Sequence, residues 1–191
     1  MYESLIQYII SYSTTPLTKA DEELIVSVFT PRRIRKKQYF LQEGEVCMYT
    51  AFIVKGAMRQ FSVDDKGAEH IVQLAIENWW AVDRESFTML TPSIYTIEAW
   101  EDTEVLVSTM AELTNLIKQV PAVAEMVRQL DVKNSISTQK RLNASISFSA
   151  EKRYNEFMKT HPHFLQRFPL HMIASYLGIT KETLSRIRKH A

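Results

Sequence analysis

Ile173-Ala-Ser-Tyr-Leu-Gly-Ile-Thr-Lys-Glu-Thr-Leu-Ser-Arg-Ile-Arg-Lys189 reads as two short helices joined by a tight turn. The first helix ends at Leu177, and Gly178 supplies the backbone freedom that such a turn requires. Thr180 stands where a hydroxyl caps the next helix by accepting from its free N–H groups. Ala174 is small where the two helices must approach closely, and Ile173, Leu177, Ile179, Leu184 and Ile187 fall at spacings that bury them together. This leaves Lys181, Glu182, Ser185, Arg186 and Lys189 on one polar face. Arginine bonds bidentately to the guanine edge and glutamate accepts from cytosine N4, so this face has the chemistry to read a DNA major groove. Glu182 lies four residues before Arg186, within reach to orient its guanidinium. Thr180, Lys181, Thr183, Arg188 and Lys189 are placed for phosphate contacts, which add affinity without sequence information.

Charge is distributed to match. The net charge is +1, yet residues 133–191 carry 11 Lys and Arg against 3 Asp and Glu, whereas residues 1–132 carry 12 against 19. A basic end on an acidic body suits a polyanion at that end alone. Upstream, Pro121 opens a long helix on which Val123, Met126, Val127 and Leu130 form an apolar stripe, continuing weakly through Asn134, Ser137, Leu142 and Ile146. Such a stripe pairs with a copy of itself, so Val123, Met126, Val127, Leu130, Asn134 and Ser137 are the expected dimer interface, and Leu130→Asp is expected to raise the monomer fraction. Asn134 either fixes the register of that seam or is an ordinary surface asparagine. Ser149 then caps a helix over about Ala150 to Lys159, which ends at His161-Pro162.

The first hundred residues differ in texture. Tyr2 to Tyr12 and Thr18 to Phe29 have helical spacing, the second with a Thr cap and acidic first turn. Beyond Pro31, Ile34, Tyr39 to Leu41, Tyr49 to Val54, Met58 to Val63, His70 to Ile76 and Ile94 to Val107 are β-branched and aromatic runs, broken by turns that hold Gly44, Gly56 and Gly67. Many short strands so spaced predict an antiparallel barrel or jelly roll. The single cysteine, Cys47, excludes an intramolecular disulfide and cysteine-ligated clusters, and is read as small core filler. No stretch approaches the roughly 20 apolar residues of a membrane span, and Met1 to Tyr12 lacks the basic flank of a signal peptide, so a cytoplasmic protein away from membranes is expected.

Ala174-Ser-Tyr-Leu-Gly-Ile-Thr-Lys-Glu-Thr-Leu-Ser-Arg186 resembles the turn and recognition helix of the CRP/FNR superfamily of bacterial regulators, including its Glu-x-x-Ser-Arg pattern. Ser149-Ala-Glu-Lys-Arg-Tyr-Asn-Glu-Phe157 resembles the helix that precedes that unit, and the glycine-punctuated strands resemble the cyclic-nucleotide-binding roll. The resemblance spans nearly the whole chain. It implies an α+β protein with an N-terminal double-stranded β-roll, a long dimerisation helix and a C-terminal winged helix-turn-helix. Two copies would bind a palindrome with recognition helices about 34 Å apart. The expected division is 1–109 for the leading helices and roll, 110–148 for the dimer helix and 149–191 for DNA binding. It departs from the family at the phosphate-binding cassette, where the corresponding stretch reads Trp79-Trp-Ala-Val-Asp-Arg-Glu85, with Asp83 for the glutamate and no glycine, and where the later Arg-Ser pair falls at Ser93-Ile94. Without that arginine a cyclic phosphate loses its counter-charge, so no cyclic AMP response is expected. Trp79, Trp80, Asp83, Arg84, Glu85 and Ser93 are the candidate effector pocket, for a small molecule left unassigned.

Other classes fit less well. A metal-dependent cupin enzyme needs several histidines in the roll, and before His161 there is only His70. His161, His163 and His171 have no cysteine beside them and straddle a proline, so neither metal nor catalysis is expected, and no cofactor is assigned. Haem would have only Cys47 or His70 as roll ligands, with no supporting motif. The alternative is a ligand-binding or protein-interaction module without sequence-specific DNA binding. The expected partners are double-stranded DNA, a second copy of the chain and RNA polymerase.

Overall fold

The computed structural model describes residues 1–190, with the backbone alone at His190. Two helices lead, α1 (Tyr2–Tyr12) and α2 (Lys19–Val28). Thr18 and Asp21 close a reciprocal capping box at the start of α2, as the acidic first turn predicts. Eight strands follow: β1 (Thr30–Ile34), β2 (Tyr39–Leu41), β3 (Tyr49–Lys55), β4 (Met58–Val63), β5 (Glu69–Ala75), β6 (Trp80–Ala81), β7 (Thr96–Ala99) and β8 (Thr103–Thr109), with the short helix α3 (Arg84–Met89) between β6 and β7. They form two antiparallel four-stranded sheets, ordered β1-β8-β3-β6 and β2-β7-β4-β5. The run Ile94 to Val107 is two strands, split by the turn Trp100-Glu101-Asp102. Against that turn is pressed Gly56 (φ +100) of the β3–β4 turn, where an added Cβ would lie 2.7 Å from the Asp102 carbonyl oxygen.

The central strands are buried on both faces. Ala51, Ile53, Met58, Ile97, Val105, Val107 and Cys47 fill the space between the sheets. On β3 and β8 the alternate residues Phe52 and Leu106 face outward onto Leu5, Ile9, Ile25, Leu116 and Val123. On β4 and β5, Phe61, Ile71 and Leu74 face outward onto the C-terminal helices. Strands covered on two sides read as continuous apolar runs rather than alternating ones, which explains Ala51-Phe-Ile-Val54.

The helical half comprises α4 (Met110–Gln119), α5 (Pro121–Ser147), α6 (Ala150–Thr160), α7 (Phe164–Arg167), α8 (Leu170–Tyr176) and α9 (Lys181–His190). Pro121 occupies the first turn of α5 and the Ser149 hydroxyl caps α6, both as predicted. Among the described residues no strand follows Thr109, so the expected wing is not seen beside the helix-turn-helix. The C-terminal helices also share one apolar core with the outer face of β4 and β5, with Phe157, Phe164, Met172 and Ile173 packed beside Phe61 and Leu74. The expected division at residue 148 therefore marks a helix end, whereas packing runs across it.

Candidate nucleic-acid interface

Geometry at the turn follows from its residues. Gly178 takes φ +65, and its N–H closes the end of α8 on the Ser175 carbonyl at 3.0 Å. The Thr180 hydroxyl accepts from the Thr183 N–H at 3.2 Å, a cap that contributes about 1 kcal/mol to an isolated helix. Ile173, Ala174 and Leu184 are fully buried, and Leu177, Ile179 and Ile187 pack against them, so the apolar spacing closes the hairpin as expected.

Lys181, Glu182, Ser185, Arg186, Arg188 and Lys189 are exposed, together with Thr180, while Thr183 is half-buried. Among the described residues Arg186 has no hydrogen bond or ion pair. The expected Glu182–Arg186 contact is absent in the free protein, leaving both side chains to solvent. Arg153 of α6 escapes sequence reasoning: its guanidinium donates to the Leu177 carbonyl at 2.9 Å and closes the C-terminus of α8. It lies within the stretch that resembles the family helix, but nothing in its spacing announces which carbonyl it will meet.

The six candidate effector residues do not form one pocket. Trp79 packs on His161 and Phe164, toward the C-terminal helices. Trp80 packs on Phe52, Phe29 and Tyr8, toward the N-terminal ones. Trp79 ends the β5–β6 turn and Trp80 opens β6, and the two rings diverge to opposite sides of the roll. Asp83 caps α3 and accepts from the Ser93 hydroxyl at 2.6 Å, with both side chains buried. Arg84 is drawn outward into an ion pair with Asp131 of α5, and Glu85 is exposed. Asp83 and Arg84 are thus paired within the protein, and the gap among Met58, Gln60, Gln73 and Ile97 has no room for a water molecule.

Part of the expected dimer stripe is turned into the chain's own core. Val123 and Met126 are each 1% exposed, buried against Leu5, Ile9 and Leu116 of the same chain, with Val127 and Leu130 packed beside them. Asn134 and Ser137 are exposed but continue that same side of the helix. The apolar residues free to meet a second copy are Val132 (55% exposed), Ile136 (47%), Leu142 (60%) and Ile146 (77%), on the opposite side of α5. Val132 and Ile146 are two heptads apart, with Ile136 and Leu142 flanking the line between them.

His161 lies half-buried in an aromatic box of Trp79, Phe157 and Phe164, its ring 5.3 Å from Phe157 and 4.9 Å from Phe164. Burial lowers its pKa below the ordinary 6.5. A depressed histidine pKa means that the unfolded chain takes up the proton first. The stability conferred by neutral His161 is present above pH 6.5 and is lost as pH falls through the folded value. Thermal melts between pH 8 and pH 5 should therefore show a falling midpoint below about pH 6.5, and His161→Phe should flatten that slope. An unchanged slope would assign the loss to other groups.

The double-sheet roll, the long helix α5 and the outward-facing hairpin α8–α9 together make up a fold that this chain shares with solved proteins. Residues 31–120 match the cyclic nucleotide-binding domain family. The chain is similar in fold to FixK2 from Bradyrhizobium japonicum (19% identity, 85% of this chain and 84% of that one, TM-score 0.73). It is likewise similar to the catabolite activator protein of Thermus thermophilus (21%, 91% and 83%, 0.58) and to a mutant of CooA from Carboxydothermus hydrogenoformans (16%, 97% and 83%, 0.67). No curated protein matches the chain in sequence. Among the described residues no helix is long and apolar enough to cross a membrane.

Proposed function

We propose that the protein is a DNA-binding transcription regulator that grips a palindromic operator as a homodimer, with α9 in the major groove and no response to cyclic AMP. The observation that carries this reading is α9 itself: its apolar side is buried in the hairpin while Lys181, Glu182, Ser185 and Arg186 stand free on the other. The α5 stripe Val132, Ile136, Leu142 and Ile146 supplies the surface for a second copy. The Asp83–Ser93 bond and the diversion of Arg84 to Asp131 leave a cyclic phosphate without a cationic partner in the cassette. In this reading the partners are duplex DNA, a second copy of the chain and, at the promoter, RNA polymerase.

Selection of duplexes from a random pool by the purified protein tests it. Two inverted half-sites about one helical turn apart are expected, with log affinity falling linearly in log salt and unchanged by cyclic AMP. Recovery of no sequence preference would defeat the proposal, and a salt-independent complex would point to a protein-binding module instead.

A further inference from the structure

The side chain that holds the DNA-binding helices against the roll belongs neither to the turn nor to α9. Arg167, at the end of α7, donates to both oxygens of Glu101 at 2.8 and 2.7 Å and to both oxygens of Glu77 at 2.9 and 3.1 Å. Its own carbonyl accepts from the Trp100 indole N–H at 3.0 Å. Glu77 lies in the β5–β6 turn and also accepts from the Gly56 N–H at 2.7 Å, in the β3–β4 turn, while Trp100 and Glu101 form the β7–β8 turn. Two turns at one end of the roll thus converge on one guanidinium, and a third is tied to them through Glu77. Burial works against ionised Glu77, yet the Arg167 contact keeps its carboxyl below the ordinary carboxylate range.

The remaining contacts across this junction are of two kinds. The apolar core of Phe61, Leu74, Phe164 and Met172 is non-directional and tolerates sliding. At the free edge of β5 the Ser175 hydroxyl accepts from the Ile71 N–H at 2.9 Å and donates to the Glu69 carbonyl at 3.3 Å, both through one oxygen about which a body can turn. A planar guanidinium pairing two carboxylates bidentately fixes rotation as well as distance. Arg167 is three residues ahead of α8, so the angle set there passes directly to the helix-turn-helix.

We infer that Arg167, clamped between Glu77 and Glu101, is a positioning residue that sets the direction of α9 relative to the roll and thereby the half-site spacing the dimer accepts. The inference rests on the proposed reading of α9 as a recognition helix. In a symmetric dimer any error in that angle appears twice. One base pair added between half-sites moves them by about 3.4 Å and rotates them by about 36°, a misfit that only a rigid junction resists.

The test measures binding of the full-length protein to operators whose half-sites are separated by the selected spacing or by one base pair more or fewer, and to a single half-site. The wild type should favour one spacing by roughly tenfold or more, as for loss of one or two specific contacts. Arg167→Gln should reduce that preference to about threefold or less, while single half-site affinity stays within about twofold. Arg167→Lys, which keeps the charge but loses the fork, should fall between them. Should Arg167→Gln fail to fold, the double variant Glu77→Gln with Glu101→Gln removes the same ion pairs from the roll side and should show the same flattening. A variant that folds and keeps the wild-type preference overturns the inference and leaves the proposed function intact. A wild type that binds no operator overturns both.

Discussion

Arg186→Ala is expected to weaken binding to the selected operator by about 1–3 kcal/mol per half-site, and so by about 2–6 kcal/mol on a palindrome, at least roughly thirtyfold. The reason lies in what the side chain does not do in the free protein. It is exposed, with no intramolecular partner among the described residues, so its removal leaves no cavity and no orphaned group. The melting midpoint should stay within experimental error while base preference at one operator position relaxes. Lys189→Ala offers the contrast: a phosphate contact carries no sequence information, so affinity should drop evenly across sequences and the salt slope should decrease by about one. Electrophoretic or fluorescence titrations over a panel of single-base operator variants would separate the two behaviours. If Arg186→Ala kept the wild-type base preference, α9 would not be reading bases through that residue.

In the proposed dimer, Leu142→Asp should shift the protein to monomer. The substitution places a charge on the exposed α5 stripe, where a symmetric seam counts it twice. Loss of about 2–3 kcal/mol of apolar burial per copy corresponds to roughly a thousandfold or more in dimer dissociation. Sedimentation equilibrium would read this directly, and operator affinity should fall toward that of one half-site. Leu130→Asp is the instructive control. Leu130 packs with Val127 onto the protomer's own core of Leu5, Ile9 and Met126, so the substitution should lower the melting midpoint of the fold instead. A Leu142→Asp protein that remained dimeric at micromolar concentration would place the interface elsewhere.

The contrast between these two leucines shows where sequence reasoning stops. Helical period alone makes Val123, Met126, Val127 and Leu130 an apolar stripe, and a stripe of that kind is equally suited to a partner helix or to the chain's own sheet. Only the placement of α1, α2 and α4 on the outer face of β3 and β8 decides for the second, leaving the sparser Val132, Ile136, Leu142 and Ile146 exposed. The adjacent tryptophans behave alike. Trp79 and Trp80 look like one aromatic site in sequence, but where the β5–β6 turn meets β6 they diverge to opposite sides of the roll, one toward the C-terminal helices and the other toward the N-terminal ones.

What the sequence by itself determined is the local chemistry: the Thr18–Asp21 and Ser149 caps, Pro121 at the start of α5, the turn at Gly178 with its Thr180 cap, and the polar side of α9. Each depends on residues within a few positions of one another, where backbone geometry leaves few alternatives. The contacts of Arg167 with Glu77 and Glu101, of Arg153 with the Leu177 carbonyl and of Arg84 with Asp131 were decided only by the tertiary structure. A long cation can reach many acceptors, and which one it meets is settled by how sheets and helices pack across dozens of intervening residues.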